Sequence, residues 1–181
     1  DPHLQQTQYG FRMKRGTSEA IHLIRRLQDF GEGYCAENTK KRLFLILLDW
    51  EKAFDKISHE GLFISMNRMG INPHLIKLTQ MLYNKPTFFT EMRQQRSNNY
   101  IQKNGIRQGC PLSPYLFLIV MTAMFYDVHS NPKVKMAEHR PPGTNFDEVL
   151  FADDTIIAST NKAAITRLLH EIEKVGTRYG M

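Results

Sequence analysis

The stretch VLFADDTIIAS, residues 149–159, decides the fold, because it sets two adjacent aspartates, Asp153 and Asp154, between two short apolar runs. Short runs of this kind are typical of strands, so VLF and TIIAS predict a β-hairpin with the acids at its tip. A turn favours one Asp followed by Gly or Asn, and adjacent carboxylates repel each other unless a cation neutralises them. The pair is therefore either a solvated turn or part of a cation site.

A third aspartate, Asp49, ends the apolar run LFLILLD at 43–49. This pattern predicts a strand buried on both faces. If that strand pairs beside the hairpin, at a spacing of about 4.8 Å, the three carboxylates converge on a volume that suits two metal ions about 3.5–4 Å apart. Oxygen ligands without His or Cys favour Mg²⁺ or Mn²⁺ over zinc.

The remaining pattern predicts an α+β domain with a mainly antiparallel sheet. Thr17 or Ser18 caps a helix that ends at Gly31, and a polar loop follows to Arg42. TFFTEMR and NYIQK predict a β-hairpin around a polar QRSNN stretch. Further helices are expected to begin at Ser58, Asn72-Pro73, Ser113-Pro114 and Asn161, the last running to about Gly176.

Bulk composition fits one soluble domain with a polyanionic partner. The chain has 181 residues, 41% of them hydrophobic, and a net charge of +6. Two cysteines exclude a disulfide framework and favour an intracellular setting. No apolar run approaches the roughly 20 residues of a membrane span. Because the chain begins with Asp, we expect it to be a piece of a longer polypeptide.

Four blocks of sequence resemble, in the same order, those of the reverse transcriptases of non-LTR (LINE-like) retrotransposons and, more distantly, of group II introns. They are QYGFR (8–12), LLDWEKAFDKISH (47–59), GIRQGCPLSPYLF (105–117) and VLFADDTII (149–157). The resemblance implies a right-hand polymerase palm, with an antiparallel sheet packed on helices. It implies partial fingers in residues 1–42, the palm in 43–181 with a fingers-like basic hairpin near 85–104, and no thumb.

The resemblance also implies a role for individual residues. Asp49 and Asp153 would ligate two metal ions, Asp154 would be the third acid, and the carbonyl of Trp50 would complete one metal shell. The nucleotide would meet Lys52 and Ala53 through their amides, and also Phe54, Gln108, Gly109 and Ala152. Template and primer would meet Tyr9, Phe11, Arg12, Lys14, Arg15 and Arg107.

Several of these positions have plainer alternatives that the sequence leaves open. Phe54 is either a steric gate, whose ring clashes with a ribose 2′-OH, or a core aromatic. Gly109 either lets the backbone approach the nucleotide closely or belongs to a turn before the next helix. Arg107 either meets phosphate or is solvated. The basic loop either binds nucleic acid or is solvated, with Phe11 in the core.

The expected function is RNA-directed DNA polymerase activity, with dNTPs, an RNA template, a DNA primer and two Mg²⁺ or Mn²⁺ ions. The alternatives are a non-catalytic RNA-binding or scaffold remnant and an RNA-directed RNA polymerase, which Phe54 and Gln108-Gly109 disfavour. We expect the thumb and outer fingers to lie in missing segments of the parent polypeptide, and this chain alone to polymerise poorly. A LINE-like protein would work in the nucleus and not at a membrane.

Overall fold

The computed structural model describes residues 3–37, 41–134 and 136–181. Its elements come in runs of helices and runs of short strands, as is typical of an α+β domain. In chain order they are α1 (Thr17–Glu37), β1 (Phe44–Leu48), α2 (Ala53–Lys56), α3 (His59–Arg68), α4 (Pro73–Leu82), β2 (Thr87–Phe88), β3 (Glu91–Met92), β4 (Gln95–Arg96), β5 (Tyr100–Ile101), α5 (Ser113–Ser130), a 3₁₀ turn (Ala137–His139), β6 (Glu148–Phe151), β7 (Asp154–Ser159) and α6 (Lys162–Arg178).

The main sheet has the strand order β1-β7-β6, and both pairings are antiparallel. Phe151 lies opposite Asp154, so Ala152 and Asp153 form the two-residue turn between β6 and β7. The predicted hairpin with acids at its tip is therefore confirmed, as is the antiparallel sheet.

The prediction that the strand ending at Asp49 is buried on both faces is wrong. Among the described residues, β1 is an edge strand that pairs only with β7, and Leu47 is 75% exposed. Phe44, Ile46 and Leu48 pack against the core, because alternate side chains of a strand point to opposite faces. The continuous apolar sequence of β1 therefore does not reveal that one face of this strand is left exposed by the described residues.

Helix α5 forms the centre of the core and packs against α3 and α6. It is apolar on nearly every side, and Phe117 and Phe125 are fully buried in it. Ser113 does not cap this helix as expected, since its hydroxyl donates to the carbonyl of Arg107 at 2.5 Å. The predicted caps are present in α3, α4 and α6, where side-chain oxygens of Ser58, Asn72 and Asn161 accept backbone N–H groups.

Helix α1 does not end at Gly31 but continues to Glu37, so the first half of the polar loop predicted from Gly33 to Arg42 is helical; residues 38–40 of that loop lie outside the described residues. Gly31 is helical and buried, and a Cβ there would come within 2.7 Å of the Leu43 side chain. The glycine therefore serves close packing rather than helix termination.

The hairpin predicted around QRSNN has its tip elsewhere. β2 pairs with β5 and β3 with β4, and Arg93 and Gln94 connect the inner strands. Both residues have positive φ, 49° and 65°, as the favoured two-residue hairpin turn requires. The propensity pattern missed this turn because neither residue is the Asn, Asp or Gly that normally adopts it.

A segment at the N-terminus extends the main sheet beyond β6. The amide of Tyr9 donates to the carbonyl of Leu150 at 2.7 Å, and the amide of Leu150 donates to the carbonyl of Thr7 at 2.9 Å. This short parallel pairing carries Gln8 to the hairpin turn.

Gln8 is 1% exposed, and its side chain forms hydrogen bonds with Ala152 in the turn and with Gly10 in the N-terminal segment. Its Oε1 accepts from the amides of Ala152, at 3.0 Å, and of Gly10, at 2.9 Å, while its Nε2 donates to the carbonyl of Ala152 at 3.3 Å. Ala152 has φ 55°, a left-handed conformation that costs a non-glycine residue about 1–2 kcal/mol. Gln8 therefore holds a strained turn beside Asp153.

We predict that Gln8→Met lowers the free energy of unfolding by about 1–3 kcal/mol, because it leaves the buried amides of Gly10 and Ala152 without an acceptor. Urea denaturation measures the change. Gln80→Met, at an exposed position on α4, is the control and should change stability by less than about 0.5 kcal/mol. Equal effects of the two substitutions would contradict the role of Gln8 in holding the turn at Ala152.

The opposite end of β6 carries a buried ionic network. Arg140 donates from Nε and Nη2 to the two carboxylate oxygens of Asp147, both at 2.8 Å. His129 Nε2 lies 3.0 Å from Glu148 Oε2. Burial alone would lower the pKa of His129, but the hydrogen bond and charge of Glu148, helped by Asp147, outweigh it and raise that pKa above its ordinary value.

A raised folded-state pKa means that protonated His129 stabilises the fold below its unfolded pKa of about 6.5, and that this stabilisation is lost as pH rises through the folded-state pKa. We predict that the stability difference between wild type and His129→Gln is largest near pH 6 and shrinks toward pH 8.5, as measured by urea denaturation. His170→Gln, which removes an exposed imidazole 3.8 Å from Glu173, is the control for loss of a histidine side chain. A pH-independent difference for His129→Gln would exclude the titration.

Candidate functional site

The three predicted acids lie at the ends of paired strands. Asp49 follows β1 directly, Asp153 is in the turn, and Asp154 opens β7. The last pair of β1 and β7 joins Leu48 to Thr155, so the register brings Asp49 and Asp154 next to each other at about the strand spacing. Asp49 and Asp154 are exposed and Asp153 is half-buried.

These three acids differ from the partly and fully buried acids elsewhere in having no hydrogen-bonding or ionic partner among the described residues. Within the described ranges, none of the three carboxylates forms a hydrogen bond or ion pair. By contrast, Asp127 is bound by Arg68 and the Tyr179 hydroxyl. This end of the β1–β7–β6 sheet thus holds three carboxyl groups that have no partner among the described residues, an arrangement that a cation would stabilise.

The carboxylates themselves do not meet around a point. In the described part of the chain, the only three His, Cys, Asp or Glu side chains whose ligand atoms all lie within 4.8 Å of one another are His129, Asp147 and Glu148. Arg140 and the His129–Glu148 hydrogen bond already satisfy that cluster. The donor chemistry at the hairpin tip, all hard oxygen, is the kind that Mg²⁺ takes, and the backbone brings the three acids together.

A cleft of about 570 Å³ adjoins the tip. It joins four residues, from three separate parts of the chain, that the sequence analysis assigned to metal or nucleotide binding. They are Phe54, Gln108, Gly109 and Asp153, with Phe11 also on the wall.

Phe54 combines a core contact with an exposed side. Its ring stacks on the buried Phe117 ring, with centroids 4.5 Å apart, and meets Phe11 edge to face at 6.3 Å. The Phe54 ring is only half-buried and lines the cleft. Its stacking on Phe117 therefore fixes the orientation of the ring face that is exposed to the cleft.

Gln108 is held in place by an acid that is not itself among the predicted site residues. Its Nε2 donates to Asp55 Oδ1 at 3.0 Å. Gly109 has φ 81°, which favours glycine, and no atom lies within 4 Å of the position that a Cβ would take there. Arg107 points away from the cleft, since its Nη2 donates to the carbonyl of Leu82 at 3.2 Å.

The residues that follow Asp49 form a tight turn. Trp50 donates from its indole nitrogen to Thr155 Oγ1 at 3.1 Å, which ties the turn to β7. Lys52 has φ 53°, and its carbonyl accepts from the amides of Asp55 and Lys56. Ala53 is buried at the start of α2.

Ala152 differs from the other expected nucleotide contacts. It is buried, and its backbone N–H and C=O are both bonded to Gln8. A direct contact between Ala152 and a nucleotide stays a prediction.

In the basic loop, residues 9–15, the side chains of Arg12 and Arg15 contact other residues of the N-terminal segment. Arg12 donates to the carbonyl of Gln5 at 2.9 Å, and burial with the nearby charge of Arg15 lowers its pKa. Arg15 lies over the Tyr9 ring, 5.1 Å from its centroid. Phe11 is 46% exposed rather than in the core, and Lys14 is exposed with φ 61°.

Sequence reasoning missed two residues that shape this site, Gln8 and Asp55. Both lie inside the blocks that carry the resemblance, Gln8 in QYGFR and Asp55 in LLDWEKAFDKISH, and this was the available signal. Their partners, Ala152 and Gln108, are far away in the chain, so no local pattern links them.

Comparison with known proteins places the chain in a family. The family model described as "Reverse transcriptase (RNA-dependent DNA polymerase)" matches residues 2–181. The chain is 26% identical over 133 residues to a retrovirus-related Pol polyprotein of the R2 element of Nasonia vitripennis, covering 74% of this chain and 12% of the relative. It is 26% identical over 165 residues to the RNA-directed DNA polymerase of the mobile element jockey of Drosophila melanogaster, covering 87% and 16%. The chain therefore spans under a fifth of these relatives.

Solved structures share the fold at lower identity. Telomerase from Candida albicans, in complex with a fragment of telomeric RNA, matches with a TM-score of 0.67 and 12% identity, covering 97% of this chain and 30% of that one. Apo telomerase from Candida tropicalis matches with a TM-score of 0.63 and 18% identity, covering 97% and 34%.

Over the described ranges, the chain has no helix long and apolar enough to cross a membrane. Taken together, the four sequence blocks, the acids at the strand ends and the family match over residues 2–181 show that the chain belongs to the reverse transcriptase (RNA-dependent DNA polymerase) family, with a palm fold and with homologues among the R2 and jockey non-LTR retrotransposon polymerases.

Proposed function

We propose that this chain supplies the catalytic centre of an RNA-directed DNA polymerase, which adds deoxynucleotides to a DNA primer on an RNA template by two-metal nucleotidyl transfer. The observation that carries the proposal is the set of unpartnered aspartates, Asp49, Asp153 and Asp154, at neighbouring strand ends beside the cleft of Phe54 and Gln108.

The carboxylates and the carbonyl of Trp50 would hold two Mg²⁺ or Mn²⁺ ions. Such ions lower the pKa of an attacking hydroxyl and neutralise charge on the leaving oxygen. The chain's own contribution is to fix the backbone of the three acids at the ends of paired strands, beside the place where the primer 3′ oxygen would displace pyrophosphate from the α-phosphorus.

The cleft would hold the incoming nucleotide. The exposed side of the Phe54 ring would lie under the sugar, where it leaves no room for a 2′-OH. Gln108, fixed by Asp55, and the open backbone at Gly109 would form the floor under the base. The amides of Lys52 and Ala53 would face the triphosphate, since backbone N–H groups in turns bind anions.

Template and primer contacts would come partly from this chain and partly from segments that its longer relatives contain. Phe11 is exposed on the wall of the cleft, and Lys14 is exposed three residues further along the chain. Tyr9, Arg12, Arg15 and Arg107 are the further contacts we propose, although each guanidinium would first release a backbone carbonyl. The retrotransposon relatives favour work on nuclear DNA.

We predict that Asp153→Asn with Asp154→Asn reduces primer extension on an RNA template by at least about 1,000-fold in a polypeptide that contains this chain, because neutral amides bind Mg²⁺ poorly. Extension with Mg²⁺ or Mn²⁺ and radiolabelled dNTPs measures the loss. Asp29→Asn, on the exposed face of α1, is the control for removing an acid and should stay within about twofold. Activity that survives the double substitution would refute the site.

We predict that Phe54→Val raises the incorporation of rNTPs relative to dNTPs by at least about tenfold, because the smaller side chain makes room for a 2′-OH. The ratio of the two kcat/KM values measures this, and a merely structural loss would lower both values together. Phe63→Val, at a partly buried position on α3 outside the cleft, is the control and should leave the ratio unchanged. An unchanged ratio for Phe54→Val would remove the gate role.

A further inference from the structure

The hairpin made by β2 to β5 concentrates the chain's positive charge. The segment 85–107 contains five basic residues and one acid, Glu91, so it accounts for four of the six net charges of the whole chain. The basic residues are Lys85, Arg93, Arg96, Lys103 and Arg107. All five are exposed, and within the described ranges none forms a salt bridge.

Exposed rings alternate with these charges. Phe88 and Tyr100 lie opposite each other on β2 and β5, with ring centroids 5.8 Å apart, and are 50% and 54% exposed. Phe89 lies under the guanidinium of Arg96, 3.5 Å from its carbon to the ring centroid. In a soluble protein, side chains of this size are usually turned inward, so their exposure together points to a ligand that uses aromatic faces.

A groove of about 710 Å³ connects the hairpin to the candidate active site. Its wall includes Phe88, Lys103 and Arg107 at the hairpin end and Gln108 with Asp55 at the cleft end. Because Gln108 also lines the cleft beside Asp153, the two spaces share a wall. A strand lying in this groove would reach the floor of the nucleotide site.

We propose that this hairpin surface, defined by Phe88, Phe89, Arg96, Tyr100 and Lys103, binds a single strand of RNA. Bases would stack on the rings, and phosphates would meet the cations. The choice of RNA rests on the proposed function, in which the template is RNA; the choice of a polynucleotide rests on the charge and on the exposed rings. The hairpin is then a second nucleic-acid contact, apart from the basic loop and the metal-binding acids.

The test is fluorescence anisotropy of labelled 20-nucleotide oligo(U) with the 181-residue chain, in EDTA and without nucleotide. Phe88→Leu with Tyr100→Leu should weaken binding at least about fivefold and leave the salt dependence unchanged, because two rings are lost but no charge. Arg96→Gln with Lys103→Gln should reduce the slope of log Kobs against log salt by about 1.4, since each phosphate contact on a single strand contributes about 0.7.

The matched control is Lys162→Gln with Arg167→Gln, which removes two exposed charges from α6. This pair should change the slope by much less. Wild-type affinity in both hairpin variants, or an equal loss in the α6 pair, would overturn the proposal. So would tighter binding of oligo(dT) than of oligo(U), or hairpin-dependent self-association without RNA binding, which would indicate a protein-docking face. Because the assay needs no catalysis, its failure would leave the primer-extension predictions untouched.

Discussion

The antiparallel pairing of β7 with both β1 and β6 is the constraint on which the candidate site depends. Asp49 and the Asp153–Asp154 pair are about a hundred residues apart in the chain, and only this register makes them neighbours. A slip of one residue would turn every β7 side chain to the opposite face, burying Asp154 and exposing its apolar neighbours. Ile157 on β7 is fully buried in the core and resists that slip, so core packing fixes the position of the acids.

The strand register alone does not determine the conformation of the turn between β6 and β7, because Ala152 has to adopt a left-handed conformation there. The buried Gln8 satisfies both polar backbone groups of Ala152, and Gly10 must lack a side chain because a Cβ would lie 2.3 Å from the Ala152 amide. The N-terminal segment is therefore bound to the hairpin turn that carries Asp153. Residues 1–42 were expected to be partial fingers, and the contacts of Gln8 tie at least that part of the segment to the sheet.

The acidic residues at the two ends of β6 differ in burial and in whether they are paired with a basic group. At the Glu148 end, both acids are buried and each is paired with a basic group, which is the condition for keeping a charge out of water. At the Asp154 end, the carboxylates are more exposed and have no partner in the described residues. The paired end stabilises the sheet, whereas the unpaired end keeps its ligand oxygens available, and this difference argues against interpreting the tip as one more structural acidic turn.

The sequence predicted those features whose causes are local or carried by the four family blocks. The caps at Ser58 and Asn161 and the acidic hairpin tip all depend on residues within a few positions of each other. It did not predict the exposed side of β1 or the continuation of α1 through Gly31, because strand order and the packing of Leu43 decide those. The same limit explains Gln108: its type and motif indicated a nucleotide contact, but its anchor on Asp55 is a long-range contact that only the fold creates. The residues to which we assign the chemistry therefore come from sequence motifs, while the residues that position them become visible only when the strands are paired.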